Sequence, residues 1–303
     1  SKDSPELARR LGVEASRYFS DDLASSAASA RELREKLDSV QVVASTAHRA
    51  SSHPYLRGRS FELTLVDEAG QLTEPLTLGL IMRACRFVLI GDDRQLPPVV
   101  RLQGLGRSMF ERLKEQAEFH APELLTLLDT QYRMHPEIMK ISNKLYYSGR
   151  LSSGVAPEDR IPPLGFPILF LPVRSNSDGR SNRAEARVVS DLVRKFREHV
   201  PAESIGVISP FRAQVALLRR MLENTGVVVD TVERFQGGER DVIVISFVRS
   251  RGTGFVFDDR RFNVAVTRAR RKLVMVAHPD LFRDTRYEWI CNYTDTPSTG
   301  VVG

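Results

Sequence analysis

The chain has 303 residues and a formal net charge of +6, and 42% of its residues are hydrophobic while 27% are charged. This composition is typical of a globular protein, and the length is sufficient for two domains with sizeable cores. No apolar run approaches the ~20 residues that span a bilayer, so we expect no membrane partner.

Cysteine usage and the first residues indicate a cellular compartment. Cys85 and Cys291 are too few for a disulfide framework or a cysteine-rich zinc site, and they are typical of a reducing compartment. The first residues lack the apolar core of a secretory signal. We therefore expect an intracellular protein, cytoplasmic or, in a eukaryote, nuclear.

Most of the positive charge comes from arginine, which binds phosphate groups with two parallel hydrogen bonds. A basic chain of this kind favours a polyanionic partner such as nucleic acid. Arginine-rich codon usage would give the same composition, so the charge alone does not decide the partner.

The first part of the chain begins with a polar, helix-like segment at residues 23–37. Four apolar runs then predict buried strands, and a helix is predicted between the third and the fourth. The strands are expected at residues 40–45, 61–66, 86–90 and 124–128, and the helix at 108–118.

A connection rich in Gly, Pro and Ser at residues 149–166 is followed by a second alternation of strands and helices. Strands are predicted at residues 168–172, 205–209, 227–231, 242–247 and 273–277, and helices at 182–199, 213–224 and 261–270. Alternation of this kind predicts an α/β fold with parallel sheets. We expect two successive units, at residues 1–129 and 130–303.

An acidic pair, Asp67 and Glu68, directly follows the second predicted strand. Ligands of α/β sheets bind at the carboxyl ends of strands, where an aspartate can hold Mg²⁺ and a glutamate can polarise a water molecule. An acidic dipeptide after a strand is more often a solvated turn. Whether the pair forms a functional site therefore has to be judged together with the other sequence motifs.

Three further clusters lie at predicted element ends and offer Gln95, Arg133 and Arg268. A neutral glutamine can contact a terminal phosphate or its attacking water without adding charge, and the arginines can bind phosphate. Taken singly, the clusters also fit a polar turn, a helix cap and a solvated basic helix. In the third cluster, helical spacing places Asn263, Thr267 and Arg270 or Arg271 on one side of the helix, away from Val264 and Val266.

Taken together, the blocks resemble the superfamily 1 helicases, most closely the branch of the up-frameshift RNA helicase and of the nuclease-helicase that processes replication flaps. The resemblance runs from about residue 40 to 278. It is carried by DEAGQ (67–71), GDDRQLPP (91–98), QYRMHP (131–136), FQGGERD (235–241) and NVAVTRAR (263–270), and SNKLYYSGRL (142–151) looks similar too.

The resemblance implies two RecA-like lobes with ATP and Mg²⁺ bound between them. Asp67 would coordinate Mg²⁺ and Glu68 would activate water, while Tyr132 would stack on adenine and Glu239 would contact the ribose. The γ-phosphate would be contacted by Gln95, Arg133 and Arg268.

The resemblance also implies movement along single-stranded DNA or RNA in the 5′-to-3′ direction. Contacts to the backbone are expected at Ser45, Thr46, Ser209, Pro210 and Thr231. Backbone contacts position a strand without reading its sequence, so RNA and DNA both stay open.

The chain departs from the family pattern because it contains no Gly-Lys dipeptide, with which the phosphate-binding loop of such enzymes ends. We therefore expect an incomplete first lobe that lacks an N-terminal segment, either truncated or carried on another chain. The expected motor fragment is inactive alone and has this segment or other domains of the same protein as partners. The alternative is a non-hydrolysing nucleic-acid-binding scaffold derived from a helicase.

Overall fold

A computed structural model describes residues 41–53, 56, 58–100, 106–251 and 258–294. Its strands pair in parallel and alternate with helices, which confirms the predicted α/β class with parallel sheets. The helix-like segment predicted at residues 23–37 lies outside the described residues. Within them, no helix is both long enough and apolar enough to cross a membrane.

Within the described ranges, nine strands form three sheets. Two sheets have two strands each, β1-β2 and β3-β4, and the third has five strands in the order β5-β9-β8-β6-β7. The strands are β1 Phe61–Val66, β2 Ala84–Leu89, β3 Thr130–Gln131, β4 Ser152–Ser153, β5 Ile168–Pro172, β6 Ile205–Ile208, β7 Val228–Asp230, β8 Arg240–Ser246 and β9 Ala269–Ala277.

Several helices begin at a side chain that caps the first turn. Asn182 accepts hydrogen bonds from the amides of Ala184 and Glu185, and Ser108 accepts one from Glu111, as polar N-caps do. The helices of the described residues are α1 Ala47–Ser52, α2 Glu74–Ile81, α3 Met109–His120, α4 Pro136–Tyr146, α5 Arg183–Arg197, α6 Arg212–Met221, α7 Val232–Phe235 and α8 Asp259–Val266.

The five-stranded sheet is buried on both faces. Along β8, Ile243 and Ile245 pack with residues of α4 and α8, whereas Val242 and Val244 pack with residues of α5 and α6. Alternate side chains of a strand point to opposite faces, so both faces of a parallel sheet need a helical cover. The continuous apolar sequence of β8 is a consequence of this double burial.

The sheet of β1 and β2 is packed much less completely. Leu65 in β1 is 62% exposed, and only Val66, Ala69 and Leu80 form the centre of the local apolar cluster. The loop after β2 supplies some of the missing packing, because its residue Leu96 is buried in the apolar cluster of the five-stranded sheet. The loop after β2 is thus anchored to the larger core.

Two predicted strands are wrong. Residues 41–45 of the first and 125–128 of the second form no strand, and Pro122–Leu124 is a 3-10 turn. The apolar side chains are exposed, at 71% for Val42 and 80% for Leu128, and neither segment pairs with a described strand. An apolar run forms a strand only where a neighbouring strand supplies its hydrogen bonds.

The predicted helix at residues 261–270 is too long, because α8 ends at Val266 and β9 begins at Ala269. The Thr267 hydroxyl donates to the Asn263 carbonyl 2.9 Å away, and Ala269 pairs with Arg240 of β8. Arg270 therefore lies on a strand, and the expected helical side shared by Asn263, Thr267 and Arg270 or Arg271 does not form.

Candidate functional site

The acidic turn after β1 abuts the loop after β2. The Ala69 amide donates to the Ile90 carbonyl at 2.8 Å, and a Cβ on Gly91 would lie only 2.9 Å from the Gly70 nitrogen. Glycine at position 91 lets the two backbones approach this closely. Asp67 and Glu68 consequently lie exposed at the carboxyl end of β1, next to the loop that carries Gln95.

Glu68 adopts the left-handed backbone conformation, with φ of 53°. Its amide donates to Asp67 Oδ1 at 2.9 Å, and its carboxylate Oε2 accepts from Gln71 Nε2 at 2.5 Å. A non-glycine residue in this conformation is uncommon and indicates a local constraint. Asp67 and Glu68 therefore lie together in a turn and do not continue strand β1.

Arg268 lies between α8 and β9 and is 3% exposed. Its guanidinium donates to the carbonyls of Val264 at 3.1 Å and Gly238 at 3.3 Å, and to the side chain of Gln95 at 3.5 Å. Burial, followed by the positive charge of Arg133, lowers the pKa of Arg268 to about 10. No carboxylate among the described residues forms an ion pair with Arg268.

Arg133 is held by Glu239. The Arg133 Nε donates to Glu239 Oε2 at 2.6 Å, and its Nη1 donates to the Thr267 carbonyl at 3.2 Å. Arg270 approaches the other carboxylate oxygen of Glu239 at 3.6 Å. The predicted ribose contact, Glu239, is therefore engaged by two arginines.

Tyr132 has a 68% exposed side chain whose ring lies against the backbone of Gly154. A Cβ on Gly154 would lie 2.2 Å from the ring atom Cε1, so this position leaves no room for a side chain while the ring stays there. Arg160 supports the same turn, since it donates to the carbonyls of Arg133 at 2.9 Å and Tyr132 at 3.0 Å. The exposed ring face is available for stacking.

The chemistry of this cluster fits a phosphate anion. Arg268 has only neutral hydrogen-bond partners among the described residues, and the charge of Arg133 lowers its pKa, while the more weakly acting carboxylates of Glu68 and Glu239 oppose this shift. A negative group near Arg133 and Arg268 would relieve this repulsion. An exposed aspartate oxygen such as that of Asp67 is a ligand that Mg²⁺ prefers, although the described residues contain no group of three or more His, Cys, Asp or Glu residues arranged for a metal.

The residues predicted to contact nucleic acid lie apart from the arginines. Ser209 and Pro210 follow β6, and Thr231 follows β7, at the carboxyl edge of the five-stranded sheet. Glu239 and Arg268 precede β8 and β9, at the opposite edge. The sheet therefore separates the two sets of residues.

The other two nucleic-acid candidates, Ser45 and Thr46, lie next to α1. Thr46 caps this helix by accepting from the Arg49 amide at 3.4 Å, and the Ser45 hydroxyl donates to the Thr46 carbonyl at 3.2 Å. Ser209 differs from them because its hydroxyl is fully buried and has no hydrogen-bond partner within the described part of the chain.

Two family profiles, each described as an AAA domain, match residues 4–102 and 105–280. DNA replication ATP-dependent helicase/nuclease JHS1 of Arabidopsis thaliana is 34% identical over 284 residues, which cover 82% of this chain and 21% of that protein. The chain belongs to the superfamily 1 helicases.

A second curated relative and a solved structure are similar to this chain over comparable lengths. The regulator of nonsense transcripts 1 homolog of Neurospora crassa is 36% identical over 279 residues, covering 81% of this chain and 25% of that protein. The solved structure of PRRSV helicase superposes with a TM-score of 0.42 at 19% identity, covering 78% of this chain and 38% of that one. The chain thus spans about a fifth to a quarter of the two curated relatives.

The sequence patterns did not predict a further group of residues beside Gln95. The Tyr147 hydroxyl donates to Asp92 Oδ2 at 2.6 Å and accepts from Asn263 Nδ2 at 2.8 Å. Burial and the neighbouring Asp92 raise the pKa of Tyr147, which keeps its hydroxyl protonated. The only sequence signals were the helical spacing that included Asn263 and the family-like segment around Tyr147, and neither pattern specifies a partner so distant in the chain.

Proposed function

We propose that this chain is the motor part of an ATP-dependent helicase or translocase that moves 5′ to 3′ on single-stranded DNA or RNA. In this proposal residues 1–129 belong to a first, incomplete RecA-like lobe and residues 130–303 to a second. The observation that carries it is the buried Arg268, which has no carboxylate partner among the described residues and contacts Gln95. Such an arrangement is suited to an anion that arrives between the two halves.

When bound, ATP with Mg²⁺ supplies a phosphoryl group whose transfer to water releases free energy. Asp67 is suited to hold the metal ion, and Glu68 is suited to take a proton from the attacking water. Gln95 can hydrogen-bond the same region without adding charge. Arg268 and Arg133 are suited to stabilise the negative charge that develops on the transferred group.

Glu239 and Tyr132 have roles in binding under this proposal. The ring of Tyr132 is exposed and supported by Gly154, which suits stacking on an adenine. The Glu239 carboxylate is paired with Arg133 in the present structure. If Arg133 turns towards a phosphate, Glu239 becomes available to accept hydrogen bonds from ribose hydroxyls.

The carboxyl edge of the five-stranded sheet is the proposed path of the strand. Ser209, Pro210 and Thr231 lie there, and Ser45 and Thr46 lie beside the other sheet at the start of α1. Hydroxyl and amide groups of this kind contact phosphates and sugars, which suits binding without sequence preference. ATP chemistry and strand contacts would then occur at opposite edges of one rigid sheet.

The catalytic assignment is tested in the full-length protein by nucleic-acid-stimulated ATPase of Glu68→Gln and Arg268→Lys. Glu68→Gln removes the proposed base and should abolish turnover. Arg268→Lys should lower kcat by ~10³-fold or more, as loss of an arginine finger does. The matched control is Arg194→Lys, because Arg194 is exposed and pairs with Asp191 on the same helix. Wild-type ATPase in Glu68→Gln would refute the assignment.

The direction of movement and the choice between DNA and RNA need a separate experiment. Duplexes with a 5′ overhang, in matched DNA and RNA versions, should be unwound by the full-length protein, whereas 3′ overhangs should not. For the 303-residue chain alone, which lacks a Gly-Lys phosphate loop, we expect negligible turnover. Brisk Mg²⁺-dependent hydrolysis by that chain would contradict this expectation.

A further inference from the structure

The side-chain amide of Gln95 is held at both of its ends. Its Nε2 donates to Asp92 Oδ2 at 2.9 Å, and its Oε1 accepts from the Arg268 guanidinium at 3.5 Å. A carboxylate only accepts hydrogen bonds and a guanidinium only donates them. The amide therefore has one favourable orientation, which depends on where Asp92 and Arg268 are placed.

Asp92 is oriented in turn by Tyr147, which directly follows α4. The Tyr147 hydroxyl donates to the same Asp92 Oδ2 at 2.6 Å. Because its single proton is committed there, the hydroxyl oxygen accepts from Asn263 Nδ2 at 2.8 Å. The order of hydrogen bonds from Gln95 through Asp92 and Tyr147 to Asn263 is thus fixed by chemistry.

The two residues at the end of this series belong to elements that pack in the larger core. Tyr147 directly follows α4, and Asn263 is a fully buried residue of α8. Both helices contribute side chains to the apolar cluster that contains β8 and β9. Asn263 Nδ2 also donates to the Arg94 carbonyl at 3.0 Å, in the same loop as Gln95.

We propose that Tyr147 is a positioning residue: through Asp92 its hydroxyl ties the orientation of the Gln95 amide to the elements of the five-stranded sheet. The inference rests on the proposed ATPase function, because Gln95 is there the residue that contacts the reacting phosphate. Tyr147 itself need not touch the nucleotide. Its loss should therefore slow the chemical step and leave ATP binding intact.

The test is Tyr147→Phe in the full-length protein, which keeps the ring and removes the hydroxyl. We expect kcat for nucleic-acid-stimulated ATP hydrolysis to fall about tenfold, while KM for ATP changes by less than about twofold, as for an interaction that acts only on the chemical step. The neighbouring Tyr146→Phe is the matched control, since that hydroxyl faces the Tyr287 hydroxyl at 3.4 Å. It should retain the wild-type kcat.

Equal kcat in the two variants overturns the proposal, and so does a tenfold rise in KM with unchanged kcat. Asn263→Ala is the second variant, with the same expected fall in kcat, and it replaces Tyr147→Phe if that protein does not fold. When both changes are combined, residues of one hydrogen-bonded series should lose little more than the larger single loss. Losses that multiply would show that the two residues act independently and would also overturn the proposal.

Glu68→Gln, measured in the same assay, separates this inference from the function on which it rests. If Glu68→Gln abolishes hydrolysis and Tyr147→Phe is like wild type, the ATPase assignment stands and the positioning role is wrong. If Glu68→Gln hydrolyses ATP at the wild-type rate, the ATPase assignment itself fails.

Discussion

The five-stranded sheet and the sheet of β1 and β2 are both parallel, yet they are stabilised differently. Ile243 and Val244, neighbours in β8, are both fully buried on opposite faces, whereas Leu65 of β1 is largely exposed. Parallel sheets gain stability from cover on both faces, and a two-stranded sheet alone is marginal. The elements around the smaller sheet are held to those around the larger one by Leu96 of the loop after β2 and by the ion pair of Glu111 in α3 with Arg260 in α8.

The same difference separates the residues of the candidate site into two groups. Asp67 and Glu68 follow a strand of the small sheet, while Arg268 and Asn263 belong to the large core. The carboxylates and the arginines therefore depend on apolar clusters that differ in size and in how completely they are buried.

The largest expected effect comes from matched leucine truncations in the two sheets. Leu273→Ala, in the centre of β9, should cost ~2–5 kcal/mol of unfolding free energy, because it leaves a cavity in a fully buried site. Leu65→Ala should cost less than ~1 kcal/mol, as for other substitutions at exposed sites. Chemical denaturation measures both. A cost for Leu65→Ala equal to that of Leu273→Ala would mean that the face of β1 is covered in solution.

The second test concerns a carboxylate within the large sheet. Glu185 is fully buried, and its Oε2 accepts from the Ser246 hydroxyl at 2.7 Å and the Val248 amide at 2.8 Å. Burial raises the pKa of Glu185 to about 7, from an ordinary value of 4.5, although these hydrogen bonds oppose the shift. The folded state then binds the proton more tightly than the unfolded state, so stability falls as pH rises from 4.5 to 7.

Glu185→Gln removes this titration and should abolish a loss of about 3 kcal/mol across that interval. Denaturation at several pH values between 4 and 8 measures the difference between wild type and variant. Glu203→Gln, at an exposed carboxylate, is the control and should keep the wild-type pH dependence. A Glu185→Gln profile parallel to that of wild type would show that this part of the large sheet is hydrated.

The smallest effect on stability is expected at Gly154, under the ring of Tyr132. Gly154→Ala must displace the ring, but the ring is exposed and can rotate, so unfolding should change by less than ~1 kcal/mol. Nucleotide binding by the full-length protein should weaken, because the ring leaves its supported position. Gly149→Ala is not an adequate control, since that glycine has φ of 79°, whereas Ala156→Gly changes a nearby exposed residue without touching the ring. Unchanged nucleotide affinity in Gly154→Ala would argue against stacking on Tyr132.

The sequence predicted the strands and helices of the large sheet well because their patterns are local. Strand β5 was predicted with its observed limits, and α5 begins at the Asn182 cap that ends the preceding loop. Apolar runs with polar flanks and capping residues act within a few residues of the chain. Such local signals are sufficient to predict strands and helices that are fully buried.

The failures lie where a distant partner decides the structure. Residues 41–45 and 125–128 have apolar sequences, yet no described strand pairs with them. The basic segment after Val266 has good helix formers, but pairing of Ala269 with Arg240 extends β9 through it. In the site, motifs predicted that Gln95 and Arg268 approach each other, whereas the Tyr147 contact with Asp92 depends on the relative placement of two sheets.

The burial of Leu96 also limits how the two sheets can separate. Exposing a leucine to water costs ~1.5–3 kcal/mol, which corresponds to a population ratio of about 10 to 100 in favour of the docked arrangement. Partial withdrawal would open a void without hydrating the side chain, which is unfavourable as well. The segment that carries Leu96 should therefore exchange between docked and released states rather than slide gradually, so this leucine makes separation of the two sheets an all-or-none step.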